Sequence, residues 1–167
     1  MRVEIRRART SDVKAIRALV DTYTADRRLL SKATVTLFEH VQEFWVATDA
    51  DTGQVVGCGA LHVMWEDLAE IRTVAVDPAC RGQKIGHRIV AELLDVAREL
   101  GVARVFCLTF ETSFFGTFGF TEIDGAPVPH AVYEQLLRSY DEGVAEFLDL
   151  ERVKPNTLGN TRMLLHL

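Results

Sequence analysis

Apolar and polar residues alternate from Val3 to Arg7, which predicts a short strand wetted on one side. The period then lengthens. Val13, Ile16, Ala18, Leu19 and Val20 gather on one side of a predicted helix, with Thr10 or Ser11 placed to cap it. A second helix is predicted over Val35–Val41 and a strand over Glu43–Thr48, ended by the turn Asp51-Thr52-Gly53. Strands over Gln54–Met64 and Leu68–Val76 follow, and Asp77-Pro78 stops the second. Ile85–Leu100 carries the clearest helical pattern: Ile85, Ile89, Leu93, Val96, Ala97 and Leu100 share a stripe, and Gly101 ends it. Val105–Thr109 reads as a short buried strand, Ser113–Phe118 as a helix and Phe120–Ile123 as a strand. Pro127 and Pro129 precede a helix near His130–Tyr140. Phe147–Pro155 shows no decisive period, and Arg162–His166 predicts a last strand. Strands interleaved with helices imply a mixed sheet of the α/β or α+β class, in a single domain of residues 1–167.

Composition narrows the class. The chain is 48% hydrophobic and 26% charged, as ordinary globular proteins are. A net charge of −5 leaves no electrostatic footprint for a nucleic acid. The charged start MRVEIRRARTSD lacks the apolar stretch of a signal peptide, and no apolar run reaches the length of a membrane span. The three cysteines, Cys58, Cys80 and Cys107, form no CxxC or Cys/His spacing, and the five histidines show no metal spacing. We therefore expect a reduced, cytoplasmic chain without disulfides or metal. Cys58 and Cys107, both in apolar runs, read as buried thiols, and His62 and His87 read as ordinary side chains.

The chemistry concentrates where a strand meets the long helix, in VDPACRGQKIGHRIVAELL, residues 76–94. First-turn N–H groups of a helix have no internal partner and carry the positive end of its dipole, so the place suits an anion, a phosphate above all. Gly82 and Gly86 let such a group approach the backbone, and Arg81 adds charge. The spacing is neither a Walker loop nor a GxGxxG turn, and a glycine-assisted turn that merely starts a helix remains the plainer reading.

Taken over a longer span, Glu70-Ile71-Arg72-Thr73-Val74-Ala75-Val76-Asp77-Pro78, then Arg81-Gly82-Gln83-Lys84-Ile85-Gly86 and the long helix, resemble motif A of the GNAT acetyltransferases. Phe114-Phe115-Gly116-Thr117-Phe118-Gly119-Phe120 resembles their motif B. The resemblance implies a twisted, mostly antiparallel mixed sheet splayed between its fourth and fifth strands, flanked by helices, with acetyl-CoA as co-substrate. It implies that backbone groups of Val74, Ala75 and Val76 pair with the pantetheine arm. It further implies that Arg81, Gly82, Gln83, Lys84, Ile85, Gly86 and His87 hold the diphosphate, with Thr109 and Phe115 also on the cofactor side. The family usually has glycine where Lys84 stands. A lysine serves there if its φ is negative, which we expect; a positive φ would strain it by roughly 1 kcal/mol.

Further stretches resemble the N-acetylglutamate synthases, amino-acid N-acetyltransferases of arginine biosynthesis: Leu29-Leu30-Ser31-Lys32, Leu37 to Val46, Gly57 to Leu61, Leu108-Thr109, and Lys154-Pro155-Asn156-Thr157-Leu158-Gly159-Asn160-Thr161-Arg162-Met163-Leu164. The last is similar to the short actinobacterial form. This implies transfer of acetyl from acetyl-CoA to the α-amino group of L-glutamate, with L-glutamine or another small amine as the alternative acceptor. A non-catalytic acyl-CoA-binding module is the rival reading. An attacking amine must lose a proton, and Glu70 matches a position that often serves as base in the family; Glu111 and Glu66 are lesser candidates. The Val74 N–H would meet the oxyanion. The family's acid is often a tyrosine where Phe115 stands, and phenylalanine cannot donate. Acceptor carboxylates need cations, and Lys32, Arg72, Lys154 and Arg162 are candidates, with Thr73, Asn160 and Thr161 adding hydrogen bonds. Each of these cations could equally be surface charge. The partner expected is thus a small amino acid, with no nucleic acid or membrane, and a homodimer stays open.

Overall fold

The computed structural model describes residues 1–24 and 33–167. The stretch Leu29-Leu30-Ser31-Lys32, and with it the expectation for Lys32, lies outside them. Seven strands are β1 (Val3–Arg7), β2 (Phe44–Asp49), β3 (Val55–Trp65), β4 (Leu68–Val76), β5 (Arg104–Thr109), β6 (Thr121–Glu122) and β7 (Thr161–His166). Helices are α1 (Val13–Thr24), α2 (Thr34–Glu39), α3 (Ile85–Leu100), α4 (Thr112–Gly116), α5 (His130–Leu136), α6 (Glu142–Phe147) and α7 (Lys154–Thr157). The strands form one mixed sheet in the order β1-β2-β3-β4-β5-β7-β6. β4 and β5 are parallel, and their register spans only Leu68↔Arg104 to Glu70↔Phe106, although β4 runs on to Val76.

The chain divides into two compact units, Met1–His62 with Ile71–Val96, and Val63–Glu70 with Ala97–Leu167. The core of the first joins Val13, Ile16, Leu19 and Val20 of α1 to Leu37 of α2, Phe44 and Val46 of β2, Cys58 and Ala60 of β3, and Ala75 of β4. Ala18 is exposed, because it stands four residues after Lys14 on the polar side of α1. Neither Thr10 nor Ser11 caps the helix. Residues 10–12 form a 3-10 turn, and the Asp12 carboxylate accepts the Arg9 N–H at 2.7 Å. A carboxylate held by Arg6 from both nitrogens, at 2.8 and 3.0 Å, is a stronger acceptor than either hydroxyl. The Arg6 hydrogen bonds outweigh burial and hold the Asp12 carboxyl below the usual carboxylate range.

The other face of β3 receives α3. Gly57 and Gly59 are two apart and so share that face. A Cβ on Gly59 would stand 2.8 Å from Ile89 Cγ2 and 3.1 Å from Leu93 Cδ1; one on Gly57 would stand 2.9 Å from Ile89 Cδ1. The missing side chains set how closely helix and sheet approach.

The second unit packs Phe106, Leu136, Val144, Phe147, Leu148 and Leu164 around Met64 and Leu68, with the rings of Phe106 and Phe147 edge to face at 5.1 Å. Leu100 is 59% exposed: the last turn of α3 outruns its cover before Gly101, whose φ of 85° breaks the helix. α5 ends at Leu136, short of the expected Tyr140, which stands in solvent. The undecided stretch after Phe147 becomes a 3-10 turn, Glu151–Val153, and α7. β7 inserts between β5 and β6, an order that periodicity along the chain does not encode.

Gly59→Ala should lower stability by about 1–3 kcal/mol through overpacking, because the branched Ile89 carbon it meets cannot swing aside. Gly57→Ala, which meets the flexible end of the same side chain, should lower it less. Urea unfolding midpoints at an unchanged m-value would show the difference.

Candidate functional site

In the first unit, β4 leads through a 3-10 turn at Pro78–Cys80 into the loop before α3. The Asp77 side chain accepts the Ala79 N–H at 2.9 Å and sets the turn. Arg81, Gly82, Gln83 and Lys84 are exposed, Ile85 is buried in the core, Gly86 is half-buried and His87 exposed. The Arg88 N–H donates to the Lys84 carbonyl at 3.1 Å as the first bond of α3. N–H groups ahead of it have no acceptor within the helix and point from its positive end. Gly82 has φ 84°, and a Cβ built on it would meet nothing within 4 Å. The loop is open where an anion would approach.

Lys84 has φ 59°, which corrects the expectation of a negative value. The loop must turn through the left-handed region to start α3 where Ile85 can reach the core, and the chain accepts a side chain at a place suited to glycine.

A second irregularity lies inside β4. Thr73 has φ 58°, rare for a β-branched residue, and is buried. Its carbonyl accepts the Cys58 thiol at 3.4 Å. A left-handed residue in a strand turns the following peptide away from the regular ladder. Here that peptide carries the Val74 N–H. The Asp77 N–H donates to Val56 of β3 at 2.8 Å, so by alternation Val74 and Val76 turn their backbone groups to the other edge of β4. On that edge the Val76 carbonyl accepts the hydroxyl of Tyr23, from the last turn of α1.

Glu43, His62 and Arg72 meet in this same unit. Glu43 Oε2 lies 2.7 Å from His62 Nδ1, and Oε1 accepts Arg72 Nη2 at 3.3 Å. The His40 ring stands 6.0 Å from that of His62. Burial works against the charge on Glu43, but the His62 hydrogen bond and the pull of His62, Arg72 and His40 outweigh it and hold its carboxyl below the usual range. The sequence reading missed Glu43 and Tyr23 and took His62 for an ordinary residue. No local pattern marks them, since Glu43 and His62 are 19 positions apart and Tyr23 and Val76 are 53 apart.

In the second unit Glu70 is 2% exposed, on a strand where Leu68 and Ala69 are buried beside it. Burial, with the nearby charge of Glu70, raises the pKa of the Cys107 thiol; burial pushes that of Cys58 up to about 12. All three cysteines are buried and free. Thr109 is buried and its hydroxyl accepts the Glu111 N–H at 2.8 Å. Phe115 is buried edge to face with Phe114 and Phe120. Glu66 and Glu111 are exposed.

The tail cations are engaged by the fold. Lys154 pairs with Glu151 at 3.0 Å on the surface. Arg162 donates to the carbonyls of Glu146, Gly125 and Phe147, with its guanidinium over the Phe106 ring at 5.2 Å. These contacts occupy both terminal nitrogens of Arg162, while its buried Nε has no hydrogen-bond partner among the described residues. Asn160 gives its N–H to Thr157, and Thr161 opens β7 opposite Thr109. Among the described residues no group of three or more His, Cys, Asp or Glu is placed to hold a metal ion, and no helix is long and apolar enough to cross a membrane.

Residues 13–120 match the family model of the acetyltransferase (GNAT) family. An amino-acid acetyltransferase of Mycobacterium tuberculosis is 67% identical over 162 residues, covering 96% of this chain and 92% of its own. A crystal structure of a Mycobacterium tuberculosis protein in complex with CoA and NLQ superimposes with a TM-score of 0.95 at 66% identity, over 98% of this chain and 99% of the other. The fold also matches an N-acetylglutamate synthase of Neisseria gonorrhoeae, complexed with coenzyme A and N-acetyl-glutamate, at a TM-score of 0.78 and 24% identity; this chain spans 35% of that one.

Lys84→Gly should raise stability by up to about 1 kcal/mol by relieving the left-handed side chain. Thermal unfolding of the two proteins would show it, and a lower midpoint for the glycine variant would mean that the strain at Lys84 is smaller than the entropy glycine adds to the unfolded chain.

Proposed function

This chain belongs to the acetyltransferase (GNAT) family, and we propose that it moves the acetyl group of acetyl-CoA onto the α-amino group of L-glutamate, with L-glutamine as the neighbouring acceptor. The observation that carries the reading is the open end of α3, with the left-handed pair Gly82 and Lys84 before it, in a chain so close to an amino-acid acetyltransferase. The loop fits a diphosphate: its backbone is exposed, Gly82 has no neighbour to crowd, and Arg81 and Lys84 add charge.

The residues divide the work as follows. N–H groups around Ile85, Gly86 and His87 bind the diphosphate. Backbone groups of Val74 and Val76 on the outer edge of β4 take the pantetheine amides as an added strand would, and Tyr23 fixes the end of that edge. The acetyl thioester supplied by the cofactor is the electrophile. Thr73 turns the Val74 N–H toward the carbonyl oxygen on which negative charge develops. Glu70, buried on β4, takes the proton of the attacking ammonium, directly or through one water. Phe115 donates nothing, and the departing thiolate is tolerable because its own pKa lies near 8.5 by analogy with cysteine. Arg72 is the cation we assign to the acceptor's side chain. Most of the rate enhancement then comes from holding amine and thioester together.

The test is release of free thiol from acetyl-CoA across a panel of amino acids. Glutamate or glutamine should stand out; if no amino acid is acetylated, the acceptor reading is wrong. Glu70→Gln should lower kcat roughly 10²-fold while acetyl-CoA affinity stays near normal. An unchanged pH–rate profile would remove Glu70 from the mechanism.

A further inference from the structure

One carboxylate in the first unit is committed at both oxygens to groups on neighbouring strands. Glu43, the residue just before β2, has Oε2 2.7 Å from Nδ1 of His62 on β3, and its Oε1 accepts Nη2 of Arg72 on β4. The side chains of Arg72, His62 and Glu43 are 11%, 18% and 23% exposed, so the pair is only partly screened by water. Such a pair does two things to the guanidinium. It holds one end of the fork, and it offsets part of the charge that the fork could offer to anything else.

We propose that Glu43 is a specificity-determining positioning residue, which sets how strongly Arg72 distinguishes an acceptor side chain ending in a carboxylate from one ending in an amide. The inference rests on acetyl transfer to an amino acid and on Arg72 facing the acceptor's side chain. A second carboxylate brought to Arg72 meets the negative charge already there, whereas a neutral amide does not. The Glu43 charge therefore weakens the site for glutamate more than for glutamine. His62, with His40 behind it, anchors the other oxygen and keeps the carboxylate from swinging away to make room.

The experiment reads the ratio of kcat/KM for glutamate to that for glutamine, with the KM for acetyl-CoA as a check on the fold. Glu43→Gln keeps the size and hydrogen-bonding capacity of the side chain and removes its charge. It should raise the ratio about 10-fold, the scale of one partly screened charge pair, and leave the acetyl-CoA KM unchanged. Glu43→Asp keeps the charge and should hold the ratio near that of the parent. Arg72→Gln approaches from the other partner and should lower the ratio by a similar factor, which keeps the proposal testable if the Glu43→Gln protein does not fold. A purely structural role would lower activity toward both acceptors alike and leave the ratio where it was. If the parent enzyme acetylates neither amino acid, the acceptor reading falls and this inference with it. If it acetylates them and the ratio stays fixed in Glu43→Gln and Arg72→Gln, or moves as far in Glu43→Asp, this inference alone falls.

Discussion

The close approach of α3 to β3 is the constraint on which the first unit depends. Two glycines on one face of β3 let Ile85, Ile89 and Leu93 sit against the strand where any side chain would hold them off. A helix held that near has little freedom to slide, since close-packed interiors resist even small displacements. Its first turn is therefore fixed relative to β3 and to the end of β4, which β3 pairs. The backbone N–H groups at that turn cannot adjust their reach as side chains do, so their position is inherited from this packing.

The strained backbone follows from the same geometry. Lys84 turns through the left-handed region just before the helix, and Thr73 does so inside β4. Each such residue costs on the order of 1 kcal/mol and persists only where its surroundings over-determine it. Thr73 is buried, with its carbonyl taking the Cys58 thiol, so its surroundings are as fixed as those of any core residue. Both irregularities serve to aim peptide groups rather than side chains. The machinery assigned to the cofactor is consequently mostly main chain, which explains why so few polar side chains are needed for it.

Legibility in the sequence tracks the range of each interaction. β4 and α3 were readable to the residue, because an apolar period and terminal signals at Pro78 and Gly101 are local. The glycine-bearing loop between β4 and α3 was readable from Gly82 and Gly86 at a strand-to-helix junction. What stayed hidden depends on partners far along the chain. Asp12 rather than Thr10 or Ser11 takes the polar contacts ahead of α1, because Arg6 of β1 holds it. Glu43 became a bridge because β2, β3 and β4 align side by side. Arg162, an apparent ligand cation, is occupied by carbonyls of Gly125, Glu146 and Phe147. The sign of φ at Lys84 was misread, because lysine prefers the right-handed region and only the tertiary path of the loop overrides that preference.

The state of the three thiols bears on the chemical life of such an enzyme. Acetyl transfer releases coenzyme A, a free thiol that oxidises to disulfides and then exchanges with protein cysteines. Exchange proceeds through the attacking thiolate and requires access. Cys58, Cys80 and Cys107 are all buried, and burial raises the pKa of each thiol. The folded chain thus offers its own by-product almost nothing to couple with, and cofactor turnover can continue without the enzyme being consumed by mixed disulfides.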